Sequence, residues 1–244
     1  MNMVKSCGMV ISKNISSVEP ITCNGVALRM VAHTRLLGPE IDNQLSWDDQ
    51  LREMSCKISK KIGALKRAKR YLLPQAKHLL LSSVILPDFD YACTSFATGL
   101  SSAARHRLAS LERRALRVAC DADYTDDCES LYDEWKIPPL EERWCAKLAI
   151  AACQCTHDLR APAVCNLLSP ALGSTRHAAT RGVIPPRYST KLGIDSFINR
   201  ASVSWNALPN DVRSATFVKF KRFVLSSSAM KPYLSLLFDP VSTV

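Results

Sequence analysis

The spacing of apolar residues between Trp47 and Leu65 constrains this chain more than any other feature. Trp47, Leu51, Met54, Ile58, Ile62 and Leu65 recur at intervals of three and four, which sets them on one stripe of a helix with 3.6 residues per turn. Ser46 offers an N-cap with Asp49 three residues on, and Asp48 and Asp49 suit the positive end of the helix dipole. The last turns carry Lys66, Arg67, Lys69 and Arg70, cations that suit the opposite end. The spacing therefore predicts one long amphipathic helix.

Before it, the pattern reads as β structure. Gly8 to Ser12 is a short apolar run, and Asn24-Gly25 lies between two strand-like segments where both residues can take the positive φ of a type I′ turn. Val31 to Leu37 resembles a further strand, ended by Gly38-Pro39. After the long helix, Pro74 fits the first turn of a second one, expected to run through Leu79, Leu80, Val84 and Ile85 until Pro87 kinks or stops it. A third helix should start near Ser101 or Ser102 and bury Leu108, Leu111, Ala115 and Val118. Pro138-Pro139 precedes another, with Leu140, Trp144, Leu148, Ala151 and Cys155 on one face. Residues 160–195 hold several prolines and glycines and read as an irregular connection, followed by helical pieces around Phe197 to Leu208 and Phe217 to Leu225.

Charge is distributed in blocks. The net charge is −1 over residues 1–53, +10 over 54–120, −8 over 121–142 and +9 over 143–244. Two basic blocks flanking an acidic one are the footprint of a polyanion partner, commonly nucleic acid, or of a solvated surface. No apolar run is long enough to span a membrane, since the longest compact one, Leu79 to Leu86, contains Ser82 and Ser83. The N-terminus lacks the apolar core of a secretory signal, so an intracellular protein of the cytoplasm or nucleus is expected, in a reducing compartment. The ten cysteines are scattered from Cys7 to Cys165, and most are expected to be small buried hydrophobes.

The order of segments resembles the end of the reverse transcriptases of non-LTR retrotransposons, the jockey-like and related long interspersed elements. Lys5-Ser-Cys-Gly-Met-Val-Ile-Ser12 looks like the strand after the catalytic hairpin, and Ile21-Thr-Cys-Asn-Gly-Val26 is similar to the family's hairpin near the primer terminus. Leu36-Leu-Gly-Pro-Glu-Ile41 with Leu45-Ser-Trp47 resembles the passage from palm to thumb. Ile62-Gly-Ala-Leu65, Tyr71-Leu-Leu-Pro74, Ser83-Val-Ile-Leu-Pro87 with Asp90-Tyr91, and Leu108-Ala-Ser-Leu-Glu-Arg-Arg-Ala-Leu-Arg117 fall in the family's thumb order. Asn199-Arg-Ala and Trp205-Asn-Ala-Leu-Pro209 are like the closing segment of such elements, so the likeness covers about 200 of the 244 residues. Pro39 departs from the pattern, standing where the family has an aliphatic residue. Proline removes a ladder hydrogen bond, so that strand should end early or lie at an edge.

The resemblance implies a mainly α fold with a small N-terminal β portion, a helical thumb-like bundle followed by a C-terminal helical region. Residues 1–44 would be a remnant of the palm, 45–120 the basic thumb-like helices and 121–244 the C-terminal region. The parent would be an RNA-directed DNA polymerase whose palm holds two magnesium ions on aspartates, because charge on the attacking and leaving oxygens must be neutralised. Those aspartates would lie upstream of Met1, in the missing palm and fingers portion. The chain is therefore expected to have no catalytic residue, no metal ligand and no cofactor of its own, magnesium being implied only for the complete parent. Its partners would be RNA and DNA, as template and primer. The rival expectation is a decayed or domesticated transposon fragment that acts through protein contacts or is inactive.

The residues expected to track phosphates are Lys57, Lys60, Lys61, Lys66, Arg67, Lys69 and Arg70, a stretch of 14 residues without an acid. A solubilising face or a localisation signal would give the same composition. Arg107, Arg113, Arg114 and Arg117 form a second candidate set, with pairing to carboxylates such as Glu112 as the alternative. Tyr124-Thr-Asp-Asp127 spells the Tyr-x-Asp-Asp pattern of reverse transcriptases, but it lies in an acidic stretch behind the thumb and reads as a loop leading into a helix. Cys153-x-Cys155-x-His157 with Cys165 has metal-binding residue types, yet cysteines two apart on a helix point about 200° from one another. Trp47, Trp135, Trp144 and Trp205 can stack on bases or fill the core, and three of them sit on apolar faces. His33, His78, His106 and His177 have no companion that would mark a nucleophile.

Overall fold

The structure, a computed structural model, describes residues 6–11, 21–23, 25–171, 182–226 and 229–238. The chain is mainly helical with small N-terminal strand pairs, and divides into two compact units, residues 1–57 and 58–244.

In the first unit, β1 (Cys7–Gly8) runs parallel to β4 (Arg29–Met30), and β2 (Thr22–Cys23) pairs antiparallel with β3 (Val26–Ala27). Gly25, between β2 and β3, has φ +75°, a conformation that glycine adopts without steric cost and the expected turn requires. Asn24, Ser12 and His177 lie outside the described residues. The strand read at Val31 to Leu37 is shorter, β5 (His33–Arg35), and it turns back through Gly38 into β6 (Glu40–Asp42), which pattern reasoning missed. Pro39 sits in that turn, just outside the ladder, where its carbonyl accepts from the Leu36 N–H at 3.0 Å and, lacking an N–H, it returns no bond.

The long helix, α1 (Asp48–Ala68), starts where the sequence places it, and its six stripe residues are all buried. The expected Ser46 cap is present, its hydroxyl accepting from the Asp48 N–H at 3.3 Å, and Asp42 reinforces it. Asp42, 7% exposed, accepts from the backbone N–H groups of Gln44, Ser46 and Trp47 at 2.9–3.1 Å, and from the Ser46 hydroxyl. Burial alone would push the Asp42 carboxyl up, but these donors outweigh it and hold it below the usual carboxylate range.

In the second unit, α1 ends in a 3₁₀ turn (Lys69–Tyr71). Pro87 does not stop the next helix. α2 (Pro74–Leu80) widens into a π turn (Leu81–Ile85) and continues as α3 (Leu86–Asp90). The wider turn accommodates a proline that donates no N–H. Lys77, Leu81, Ile85 and Phe89 lie on the buried side, whereas Leu79 and Val84 are exposed.

A short α4 (Cys93–Phe96) leads to α5 (Ser102–Cys120), capped by the Ser101 hydroxyl on the Ala104 N–H at 3.2 Å. Its buried face is Ala104, Leu108, Glu112, Ala115, Leu116 and Ala119; Leu111 and Val118 are only half-buried. α6 (Cys128–Trp135) and α7 (Leu140–Thr156) follow, the latter after the expected proline pair. The connection contains α8 (Pro162–Cys165), a Pro170 to Val183 bridge and α9 (Lys191–Ile194). The closing helices are α10 (Phe197–Ala207), α11 (Asn210–Arg213), α12 (Phe217–Val224) and α13 (Leu234–Phe238).

α7 is the axis of this unit, because its small residues Ala149, Ala152 and Cys153 are buried and let neighbours approach. Trp144 meets Phe96 edge-on at 5.9 Å and donates its ring N–H to the Phe89 carbonyl, while Trp205 of α10 packs on Phe220 of α12 at 5.4 Å. Trp47, Trp144 and Trp205 are thus core residues, and Trp135 is half-buried against His78. No helix among the described residues is long and apolar enough to cross a membrane.

Candidate nucleic-acid interface

The basic stretch at the end of α1 fans around the helix instead of lining one groove. Lys61 turns to α3, where it pairs with Asp88 at 2.5 Å and donates to the Val84 carbonyl. Lys69 pairs with Asp121 at 3.0 Å, and the Arg70 guanidinium lies 4.7 Å over the Tyr71 ring. Lys60, Lys66 and Arg67 are exposed, and among the described residues no carboxylate pairs with them. Lys60 and Arg67 are seven residues apart and share a face, about 10 Å from each other along the axis. Lys66 projects about 100° round from Arg67. Lys57, the last residue of the first unit, is exposed.

α5 presents a cleaner face. Arg107 and Arg114 are exposed, Arg113 and Arg117 half-buried, and all four lie on the side opposite Leu108 and Ala115. The helix's one acid, Glu112, is sealed in the core and 1% exposed, so it neutralises none of them. Arg113 donates to the Ser110 hydroxyl at 3.2 Å. Arg117 donates to the Asp126 carbonyl and lies 5.3 Å over the Tyr124 ring.

The C-terminal ends of α1 and α5 meet at Asp121, the αL cap of α5. Lys77, with 7% of its side chain exposed, and Lys69 both reach its carboxylate. Hydrogen bonds from Lys77 and then Lys69 hold that carboxyl below its usual range. One acid therefore fixes two of the block's thirteen cations.

The loop with Tyr124-Thr-Asp-Asp127 is a capping loop, on no hairpin. Asp127 accepts from the Glu129 and Ser130 N–H groups to start α6, Asp126 accepts from the Asp123 N–H, and Tyr124 projects into solvent. Cys153, Cys155 and Cys165 are buried, and His157 turns its Nδ1 to the Cys153 carbonyl at 2.9 Å. Among the described residues no cluster of three His, Cys, Asp or Glu side chains is arranged to hold a metal ion.

Sequence reasoning missed a buried polar hub. Glu112 accepts from the Tyr132 hydroxyl at 2.8 Å, from the Leu140 N–H at 2.9 Å and from the Arg143 guanidinium, which also donates to Asp90 at 3.1–3.2 Å and to the Pro138 carbonyl. Burial alone would lower the Arg143 pKa, but Glu112 and Asp90 outweigh it and raise it. The hub joins α3, α5, α6 and α7 and so fixes the frame that carries the arginine face. The available signal was position: Glu112 is four residues after Leu108 and three before Ala115, on the apolar stripe.

No protein-family model, curated protein or solved structure matches this chain.

Proposed function

We propose that this chain is the end-of-palm, thumb and following portion of a non-LTR retrotransposon RNA-directed DNA polymerase, and that it holds the RNA/DNA template-primer backbone without performing chemistry. The observation that carries the reading is a set of exposed cations with no carboxylate partner among the described residues: Lys60 and Arg67 on one face of α1 with Lys66 about 100° round from Arg67, and Arg107 and Arg114 on α5. Side chains of this kind contact phosphates irrespective of sequence. Arg113 and Arg117 flank the second face, while Lys61 and Lys69 serve the helix frame.

The test is binding of a labelled duplex over a range of salt. Five phosphate contacts give a slope of log K on log salt of about −4.5, and removing three of them flattens it by about 2.7. The triple variant Lys60→Gln, Lys66→Gln, Arg67→Gln should show that flattening. An unchanged slope, or no binding of the parent chain at low salt, refutes the reading. Magnesium-dependent primer extension by the chain would refute its non-catalytic part.

A second reading, a fragment acting through protein contacts, draws on one observation. Tyr71, Leu73 and Leu79, on and just before α2, are each more than 60% exposed, a surface more apolar than a phosphate-binding face needs. Salt-insensitive association in place of duplex binding would favour it.

A further inference from the structure

α7 and α12 enclose a cleft of about 360 Å³ that none of the nucleic-acid contacts uses. That volume lies within the range of small-molecule sites. Its walls are apolar along Ala146 and Ile150 of α7, Val224 of α12 and Met230.

Most of its charges are already satisfied. Arg143 is held by Asp90 and Glu112, and Lys147 lies 3.8 Å from the Asp90 carboxylate. Two are not: Lys221 is exposed at the cleft with no carboxylate partner among the described residues, and Glu142 lines the cleft, is 5% exposed, and receives no hydrogen bond from a described residue. Its neighbour Glu141 already supplies the negative charge that suits the first turn of α7, and pairs with Arg105 at 3.5 Å. Glu142 is therefore not needed as a helix-end charge. The Glu142 side chain is largely buried but its carboxylate oxygens are not sealed off, so a donor entering the cleft can reach them.

We propose that this cleft binds a small organic cation, an apolar body seated against Ala146, Ile150 and Val224 with a primary ammonium group donating to Glu142. Burial pushes the Glu142 carboxyl up, as it does for a carboxylate without donors, and of the nearby charges Lys231 opposes that rise while Asp133 adds to it. An ammonium inside the cleft would supply the missing hydrogen bond in a low-dielectric setting, where a charge-assisted bond is strongest. The competing ligand is an apolar carboxylate, which would use Lys147 and Lys221 at the cleft and leave Glu142 unpaired.

The experiment compares hexylammonium, hexanoate and hexanol on the full chain by calorimetry and saturation-transfer NMR. Hexylammonium should bind saturably and at least tenfold more tightly than the other two. Glu142→Gln should weaken it at least tenfold, about 1.4 kcal/mol, and Ile150→Trp should block it while far-UV circular dichroism stays native. Equal or tighter hexanoate binding, an unchanged affinity in Glu142→Gln, or no saturable hexylammonium binding overturns the proposal. Should Glu142→Gln fail to fold, Ile150→Trp and the hexanoate comparison still decide it.

Discussion

Replacing Glu112 by alanine should be among the most damaging single changes in this protein. The carboxylate is 1% exposed and serves three donors at once: the Tyr132 hydroxyl, the Leu140 N–H and the Arg143 guanidinium. Removing one partner of a buried ion pair costs about 3–5 kcal/mol, mostly by stranding the other charge. Arg143 keeps Asp90 and the Pro138 carbonyl, which moves the ionic cost toward the lower figure. Tyr132 and Leu140 each lose an acceptor, at about 1–3 kcal/mol apiece, so a loss of about 5 kcal/mol is expected even at the lower figures. Against a total of about 5–15 kcal/mol for a domain, that is a large fraction. The melting temperature should fall by about 10–20 °C, taking about 2–4 °C per kcal/mol for a unit of this size.

Urea unfolding followed by circular dichroism at 222 nm measures the loss, and a double-mutant cycle with Tyr132→Phe should return a coupling above about 0.5 kcal/mol. Burial first, and the Glu112 charge next, raise the Tyr132 pKa. A group raised in the fold contributes fully below its unfolded value, near 10, and loses that contribution as pH climbs toward the folded value. The gap between parent and Tyr132→Phe should accordingly narrow above about pH 10. A loss under about 1 kcal/mol for Glu112→Ala would refute the hub.

Three further outcomes are expected. Asp42→Ala should release the amides of Gln44, Ser46 and Trp47 to hydrogen exchange and cost about 1 kcal/mol at pH 7, as other helix caps do. Because the folded Asp42 carboxyl is lowered, its contribution is present above about pH 4 and disappears as pH falls below that; full protection in the variant would remove Asp42 as the cap. Asp121→Ala strands the buried Lys77 ammonium, but Asp121 is half exposed, so the discounted loss is about 1–2 kcal/mol in urea unfolding. Adding Lys77→Met should restore most of it, and no recovery would mean that the charge pair is not the cause. Burial pushes the Cys93 and Cys145 thiols up to about 12, whereas Cys56 is exposed. Iodoacetamide at pH 8 should alkylate Cys56 in the native chain and reach Cys93 and Cys145 only on unfolding; equal rates would contradict the packing of α4 and α7.

What could be read from the chain, and what could not, separates by range. The α1 stripe was legible because a three-and-four spacing of apolar residues is a local property, and so were the Ser101 start of α5 and the face of α7. The Ser46 cap of α1 was legible too, but its reinforcement by Asp42 was not, since Asp42 reaches the helix start across a turn instead of standing next to it. The core face of α2 and α3 could not be read from the spacing, because Lys77, a charged residue, occupies a buried position and the π turn changes the rotation per residue midway. Four-residue steps drift about 40° each on an ideal α-helix, and the wider turn takes up that drift between Leu81 and Ile85.

The basic block shows the same limit where function is concerned. Composition reports thirteen cations over residues 54–120, but only the tertiary partners say which remain available to a ligand. Lys61, Lys69 and Lys77 are occupied by Asp88 and Asp121, acids distant in sequence that no local pattern could pair with them. Arg107 and Arg114 escape that fate because the acid nearest them in sequence, Glu112, points the other way, into the core. Placing Glu112 inside does two things at once: it locks α5 to α6 and α7, and it leaves the outer face of α5 purely cationic. A substitution that turned a carboxylate outward on α5, such as Ser110→Glu beside Arg107 and Arg114, should therefore weaken duplex binding while leaving the hub and the stability of the second unit intact.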